Sequence, residues 1–232
     1  MNIFLDIETV PEFADRNEYL KVKQSSNGQK DDLYYKFHYG SLNPHEGKVV
    51  LITYQVDDGQ PQYLKQWLSN EQTILKKFFD IVGQKKTNQG EKTTLIGLNI
   101  AHFDLPFLFV RMLKNQIVTS FKTGHDPVWL YNTLMKFPYF IDLLQIHLPL
   151  NDFNPVGVTH DAIAKSYGFP MKGERGNTNI DRYYTAPEEI MKYVETEFIY
   201  PQLFSKISKD GLISKARFQE IVKELSAKRE IK

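Results

Sequence analysis

Asn2-Ile3-Phe4-Leu5-Asp6-Ile7-Glu8-Thr9-Val10-Pro11 is the stretch on which the reading of this chain turns. Ile3, Phe4, Leu5 and Ile7 put apolar side chains on both alternating faces, which marks a strand covered on both sides rather than one facing water. Side chains two apart in a strand share a face, so Asp6 and Glu8 project together near its C-terminal end. Two carboxylates on a buried strand repel each other and resist desolvation, and a divalent cation between them is the simplest compensation. A strand end frayed into solvent accounts for an isolated Asp-x-Glu more simply still, so the rest of the chain has to decide.

Outward from this strand, Lys48 to Val56 reads as a second strand, Asp57-Asp58-Gly59 as a turn and Gln62 to Trp67 as the return arm of a hairpin. Asn70 to Val82 has apolar residues at helical spacing, with Ser69 as the predicted N-cap. Thr93 to Leu98 is another short buried strand followed by an apolar helix over Phe103 to Leu113, and Phe140 to Leu144 reads as a last strand ending in the structural acid Asp142. Glu12 to Lys23 and Val158 to Tyr167 are predicted as short helices, and a further helix opens at Pro187. Gln24 to Gly47 and Met171 to Arg182 read as loops, the first carrying the aromatic residues Tyr34, Tyr35, Phe37, His38 and Tyr39. Such a cluster packs a loop onto the body more often than it stacks on unpaired bases. Phe218, Ile221, Val222 and Leu225 give a final amphipathic helix with a basic outer face. Strands alternating with helices, plus one antiparallel hairpin, predict an α/β mixed sheet.

The 232 residues, 41% apolar and 13% aromatic, suffice for a substantial core. With 29 basic and 28 acidic side chains the net charge is +1, so any attraction to nucleic acid has to be local. The basic stretches Arg111 to Lys136 and Lys165 to Arg182 fit phosphate contacts. The absence of cysteine excludes disulfides, thiol catalysis and thiolate metal sites. No stretch approaches a membrane span and no signal peptide is read, so a soluble, intracellular (cytoplasmic) protein with no membrane partner is expected.

Two further constellations bear on Asp6 and Glu8. In Asn99-Ile100-Ala101-His102-Phe103-Asp104-Leu105-Pro106 a strand ends and an acid stands at the entry to a helix, where capping alone accounts for Asp104. On the helix after Pro187, Tyr193 and Glu197 are four apart and share a face, while Glu195 points away. Singly, each is commonplace. In this order the three sites resemble a DEDD-type 3′–5′ exonuclease of the tyrosine subclass, and are most similar to the predicted exonucleases related to the proofreading domain of family-B DNA polymerases. Phe4 to Pro11 and Asn99 to Leu108 carry most of the resemblance, which extends to about residue 208.

The resemblance implies an RNase H-like 3′–5′ exonuclease domain over 1–208, with 209–232 as a C-terminal amphipathic helix packed on it. It implies two divalent metal ions, Mg²⁺ or Mn²⁺, held by Asp6, Glu8, Asp104 and Glu197, and a two-metal hydrolysis that releases nucleoside 5′-monophosphates. Tyr193 would orient the attacking water, and Thr9, Asn99 and Phe103 would contact the terminal nucleotides. The implied partners are single-stranded or frayed DNA, with RNA as an alternative, and a replication or repair protein. The family pattern has Asp at the position of Glu197, and an added methylene moves a carboxylate by roughly 1.5 Å against a tolerance near 0.5 Å, so a weakened second metal is expected. A nucleic-acid-binding or replication-partner domain with weakened or lost catalysis is the alternative reading, and a purely structural domain a third.

Overall fold

β1 (Asn2–Pro11) is the central strand of a five-stranded sheet, and every residue of it after Asn2 is buried. The computed structural model describes residues 1–25, 32–83, 93–117, 140–172 and 178–230. The other strands are β2 (Gly47–Val56), β3 (Gln62–Lys65), β4 (Thr94–Gly97) and β5 (Phe140–Asp142), in the spatial order β3-β2-β1-β4-β5. β2 and β3 are antiparallel to their neighbours, whereas β4 and β5 run parallel to β1. The chain is thus α/β, with a mixed sheet flanked by helices as in an RNase H-like fold.

Among the described residues the helices are α1 (Arg16–Ser25), α2 (Asp32–Tyr39), α3 (Glu71–Gly83), α4 (Asp104–Lys114), α5 (Leu143–His147), α6 (His160–Ser166), α7 (Thr178–Thr185), α8 (Ile190–Glu197), α9 (Tyr200–Asp210) and α10 (Lys215–Glu230). They divide the core in two. Ile3, Leu5 and Ile7 on the odd face of β1 pack with apolar residues of α3 and α4, such as Leu75, Phe78, Phe107 and Leu108. Phe4 and Val10 on the even face pack with Ile180, Ile190, Val194, Leu203 and Phe218 from the later helices. Asp6 and Glu8 interrupt the even face between these two apolar anchors. The double burial inferred from β1 is what the fold displays, and it puts the two acids inside a core rather than at a frayed edge.

Two irregularities in β1's pairing shape the site. β4 pairs with β1 only as far as Phe4 opposite Ile96, which leaves the later N–H groups of β1 without a strand on that side. Gly97 ends β4 where a Cβ would lie 2.7 Å from the Leu5 carbonyl oxygen, so only glycine lets the strands close there. On the other side the register to β2 slips between Glu8 and Thr9, which face Leu51 and Val49, so Val50 is an extra residue. The Val49 N–H is accepted instead by Glu71 Oε1 at 2.7 Å. Arg111, 2% exposed, grips Glu71 through Nε (2.8 Å) and a terminal nitrogen (2.5 Å) and also reaches Glu12 at 3.2 Å.

Several local expectations change. Within the predicted loop Gln24 to Gly47, the described part contains α2 and a 3₁₀ turn over Gly40–Leu42, so the aromatic residues lie on a helix. Tyr35 and Tyr39, four apart, place their rings 6.0 Å from each other, while Phe37 stacks on Tyr19. Asn70, not Ser69, caps α3, with its side chain accepting from the Thr73 N–H, because Ser69 closes the preceding 3₁₀ turn. The predicted loop Met171 to Arg182 contains the first part of α7, whose aromatic residues anchor it: Tyr184 stacks on Tyr19 at 4.6 Å and donates to the Pro11 carbonyl. Arg111 is a buried ion-pair partner rather than a phosphate contact, and most of its predicted basic stretch, residues 118–136, lies outside the described residues. Among the described residues no helix is long and apolar enough to cross a membrane.

Candidate metal centre

Three carboxylates, two from β1 and one from the end of α8, meet on the even face and C-terminal half of β1, and a fourth, Asp104, is bonded to the strand beside them. Asp6, Glu8 and Glu197 are each buried, and each offers an oxygen within 4.8 Å of those of the other two. Alternation in β1 aligns the first two. The third follows from the apolar stripe of α8: Ile190 and Val194 are fully buried, so Tyr193 and Glu197, on the same side of the helix, are carried inward. Glu195 remains exposed, as its spacing requires. The longer side chain at Glu197 does not keep its carboxylate from Asp6 and Glu8. Glu197 is the last residue of α8, where the chain leaves helical geometry at Phe198 (ψ 68°), and a helix terminus has room to adjust its reach.

Asp104, 3% exposed, comes from the first turn of α4 but does not cap that helix with its side chain. Its Oδ1 accepts from the Ile7 N–H at 3.1 Å, one of the groups that β4 leaves unpaired. Asp104 therefore continues the sheet edge and sits on β1 between the levels of Asp6 and Glu8. Its charge raises the pKa of both.

Burial is the main reason these acids resist ionisation. It pushes Glu8 from 4.5 up to about 8, with Glu197 adding to the rise and Asn179 and Lys172 opposing it. Asp104 is likewise pushed to about 8 by burial, helped by Asp142 and Glu197 and opposed by the backbone donors it meets. Asp6 is held well above the usual carboxylate range by burial and then by Glu197, Asp104 and Glu8. The phenol of Tyr193 is pushed upward by burial and by Glu197, Glu8 and Asp6, so it remains a neutral donor at every ordinary pH. Buried acids of which Asp6, Glu8 and Asp104 are pushed up, and which offer only oxygen donors, could hold a hard divalent cation.

Neutral donors and one cation steady the cage. Tyr200, 2% exposed, donates from its hydroxyl to Asp6 Oδ1 at 3.0 Å, and Asn179, fully buried, donates from Nδ2 to Glu8 Oε2 at 2.9 Å. Arg182 donates to Asn179 Oδ1 at 3.0 Å, which fixes the amide with its nitrogen toward Glu8. Lys172 Nζ donates to Glu197 Oε1 at 2.5 Å and to the Tyr193 hydroxyl oxygen at 3.0 Å. His160 Nε2 lies 2.9 Å from the Glu197 carbonyl oxygen, supporting the chain where α8 ends.

Not every residue named from the sequence joins this cage. Thr9 faces the opposite side of β1 by alternation, and its hydroxyl donates to the Ser41 carbonyl at 2.6 Å. Asn99 and Phe103 lie in the turn that delivers Asp104, Asn99 with left-handed backbone (φ 60°) and Phe103 with its ring 5.5 Å from that of Phe107. Asp142 is structural: Oδ1 accepts from the N–H groups of Asn99 and Leu144, both at 2.9 Å, and Oδ2 from Ala101 at 3.1 Å.

We find no protein-family model that matches the chain and no match among curated proteins. Solved structures do match. Among them, the family B DNA polymerase from the hyperthermophilic archaeon Pyrobaculum calidifontis is similar over 88% of this chain, with a TM-score of 0.51 and 16% identity. This chain spans 24% of that polymerase chain, about a quarter of its length. At this identity the likeness is one of fold, and it is distant.

Sequence reasoning missed Asn179, Tyr200 and Lys172. Asn179 and Lys172 fall in a stretch whose glycines and charges read as a loop. Tyr200 offered a faint signal, since it stands three residues after Glu197 and next to Pro201 at the start of α9. What it touches follows from α9 lying over the even face, where Phe204 meets the Phe4 ring edge-on at 5.8 Å.

Proposed function

We propose that this chain is a metal-dependent 3′–5′ exonuclease that hydrolyses phosphodiester bonds at the 3′ end of single-stranded or frayed DNA and releases nucleoside 5′-monophosphates. One observation carries the reading: Asp6, Glu8 and Glu197 converge within 4.8 Å inside an RNase H-like core, with Asp104 bonded to the strand between them. A purely structural acid cluster would have its charge matched within the chain, and among the described residues this one has Lys172 at its margin. The fold likeness to a DNA polymerase supports nucleic acid as the substrate class.

Asp6, Glu8, Asp104 and Glu197 are the residues that would hold the metal, Mg²⁺ or Mn²⁺, in a two-ion arrangement. When bound, such ions activate a water nucleophile and neutralise charge on the leaving 3′ oxygen. The chain's own groups do the rest. Tyr200 and Asn179 each hold one carboxylate oxygen, of Asp6 and of Glu8, which fixes how those two carboxylates are turned. Tyr193, whose hydroxyl oxygen accepts from Lys172 and whose proton meets the Glu197 carboxylate, would orient the attacking water beside Glu197. Burial of the cage excludes bulk water and strengthens each of these contacts. Asn99 and Phe103, on the turn before Asp104, are proposed to contact the terminal nucleotides. Thr9 is proposed to act through its backbone, its hydroxyl being taken by Ser41.

A 5′-labelled single strand incubated with Mn²⁺ should yield a ladder shortened from the 3′ end, and Asp6→Ala should slow this by about 10³-fold or more. Absence of metal-dependent shortening across pH 6 to 9 would remove the nuclease reading.

A further inference from the structure

Thr53 stands on β2 directly opposite Asp6, in the register that pairs Leu5 with Tyr54 and Ile7 with Ile52. Residues opposed in this way share a face of the sheet, so Thr53 lies on the even face with the acids. One strand further out it is paired with Tyr63, which packs against the apolar cluster of that same face. Asp6, Thr53 and Tyr63 thus form a polar row across three strands. Thr53 is 1% exposed, and its hydroxyl oxygen has no hydrogen-bond partner among the described residues.

Burying a hydroxyl without a partner costs stability, and valine fills the same space without that cost. The four residues before Thr53 on β2, Val49, Val50, Leu51 and Ile52, are fully buried and apolar, so packing alone does not account for an oxygen here. Asp6 does account for it. Directly opposed residues have Cβ atoms about 4.5–5.5 Å apart, and one step of χ1 swings a threonine hydroxyl by about 120°. On the other side of Asp6, β4 has stopped pairing at Phe4, so Thr53 is the polar side chain that a neighbouring strand brings to this level. Asp6 also has capacity to spare: Oδ1 accepts from Tyr200, and a carboxylate carries about four lone pairs, enough for Tyr200, Thr53 and a cation together.

We propose that Thr53 is a positioning residue of the metal centre, whose hydroxyl turns to donate to the Asp6 carboxylate when a divalent cation is bound there. Tyr200 then steadies Asp6 from α9 and Thr53 steadies it from β2, so that the carboxylate is held from a helix and from the sheet at once. The proposal rests on the exonuclease reading for the presence of a cation at the acids, and it adds a residue that touches neither the cation nor the strand. A second buried hydroxyl without a partner among the described residues, that of Thr93, supplies the comparison. It lies just before β4, whose first residue Thr94 pairs with Asn2, at the end of the sheet away from the acids.

The test reads ion affinity and stability, not turnover. A titration of the full chain with Mn²⁺, followed by the electron paramagnetic resonance signal of the free ion, should show Thr53→Val weakening binding by ~10-fold or more. Without metal the same variant should melt at the parent's temperature or above, because it loses a hydroxyl that had no partner. Thr53→Ser keeps a hydroxyl and should bind Mn²⁺ within about 3-fold of the parent. Thr93→Val should leave affinity unchanged. Parental affinity in Thr53→Val overturns the proposal, as does an equal loss in Thr53→Ser or in Thr93→Val. A loss of affinity accompanied by a lower metal-free melting temperature also overturns it, since that marks a packing residue. A parent that binds no Mn²⁺ overturns it together with the nuclease reading. Thr53-dependent Mn²⁺ binding by a chain that never shortens a strand upholds the proposal and removes the nuclease reading, whereas strand shortening by a chain whose affinity is indifferent to Thr53 does the reverse.

Discussion

Two clusters of buried acid lie on opposite sides of β1, and they are built on opposite principles. Around Glu71 the charge is closed. Arg111 grips it bidentately, Asn115 adds a donor at 2.9 Å, and Glu12 is shared between Arg111 and Lys114. Glu12 loses some solvation, yet Lys114 and Arg111 hold its carboxyl below the usual range. Around Asp6 the charge is open among the described residues: Asp6, Glu8 and Glu197 face one another with Asp104 beside them, Tyr200 and Asn179 donate, Lys172 stands at the margin, and burial pushes up Asp6, Glu8 and Asp104. A carboxylate matched by arginine stabilises a strand bulge. A set with so little matching charge among the described residues could hold a cation.

The largest effect should come from breaking the closed cluster. Glu71→Ala strands Arg111 in the core and should cost about 3–5 kcal/mol in urea unfolding. Glu71→Leu/Arg111→Met removes the unpaired charge and should recover part of this. About 1–3 kcal/mol should remain lost, because the Val49 N–H no longer has an acceptor. Full recovery would show that the bulge beside Glu8 does not depend on that bond.

The open cluster should respond to pH in the opposite sense from a matched one. Glu8 goes from 4.5 in the unfolded chain to about 8 when folded, and Asp104 from 3.8 to about 8, so the folded protein binds more protons across this interval. Metal-free stability therefore falls as pH rises from about 4.5 to about 8 and levels off above. Thermal unfolding should show a drop of about 5 °C or more, at about 2–4 °C per kcal/mol for a chain of this size. Mn²⁺ at 100 times its Kd should restore about 2.7 kcal/mol at pH 8 and little at pH 5, where protons occupy the ligands. A melting temperature that is flat over this range and insensitive to Mn²⁺ would mean that the acids are matched after all.

Smaller effects distinguish the donors. Tyr200→Phe and Asn179→Ala should each lower Mn²⁺ affinity by about 10–100-fold in calorimetry with the fold preserved. Unchanged affinity would make both residues mere packing. Glu197→Asp should raise the strand-shortening rate by only a few-fold or shift the preference from Mn²⁺ toward Mg²⁺, since the existing carboxylate already reaches Asp6 and Glu8. An unchanged or lower rate with both metals would show that Glu197 is the better-fitted acid here.

The legible parts of this molecule are those governed by periodicity. β1's two apolar faces predicted its central position, the Asp57–Gly59 turn its hairpin, and the spacing of Tyr193 and Glu197 their shared face. Asp104 was legible as a position but not as a contact, because its bond to the Ile7 N–H exists only where β4 stops pairing. Asn179 was hidden because the glycine-bearing stretch around it reads as a loop, whereas Arg182 was legible as the end of a basic stretch but not as the donor that fixes Asn179. α7 is a helix only because Tyr184 and Ile180 dock it on the core, a tertiary contribution that local pattern does not carry.

Asp142 has a consequence for how this site should be mapped. It ends a strand beside the carboxylates and has the look of a fifth ligand, yet its two oxygens hold the turn of Asn99 and Ala101 to the start of α5. A scan that ranks residues by lost activity alone will score Asp142 beside Asp6, since releasing that turn lets Asp104 drift. Only a paired readout of melting temperature and ion affinity separates an architectural aspartate from a functional one.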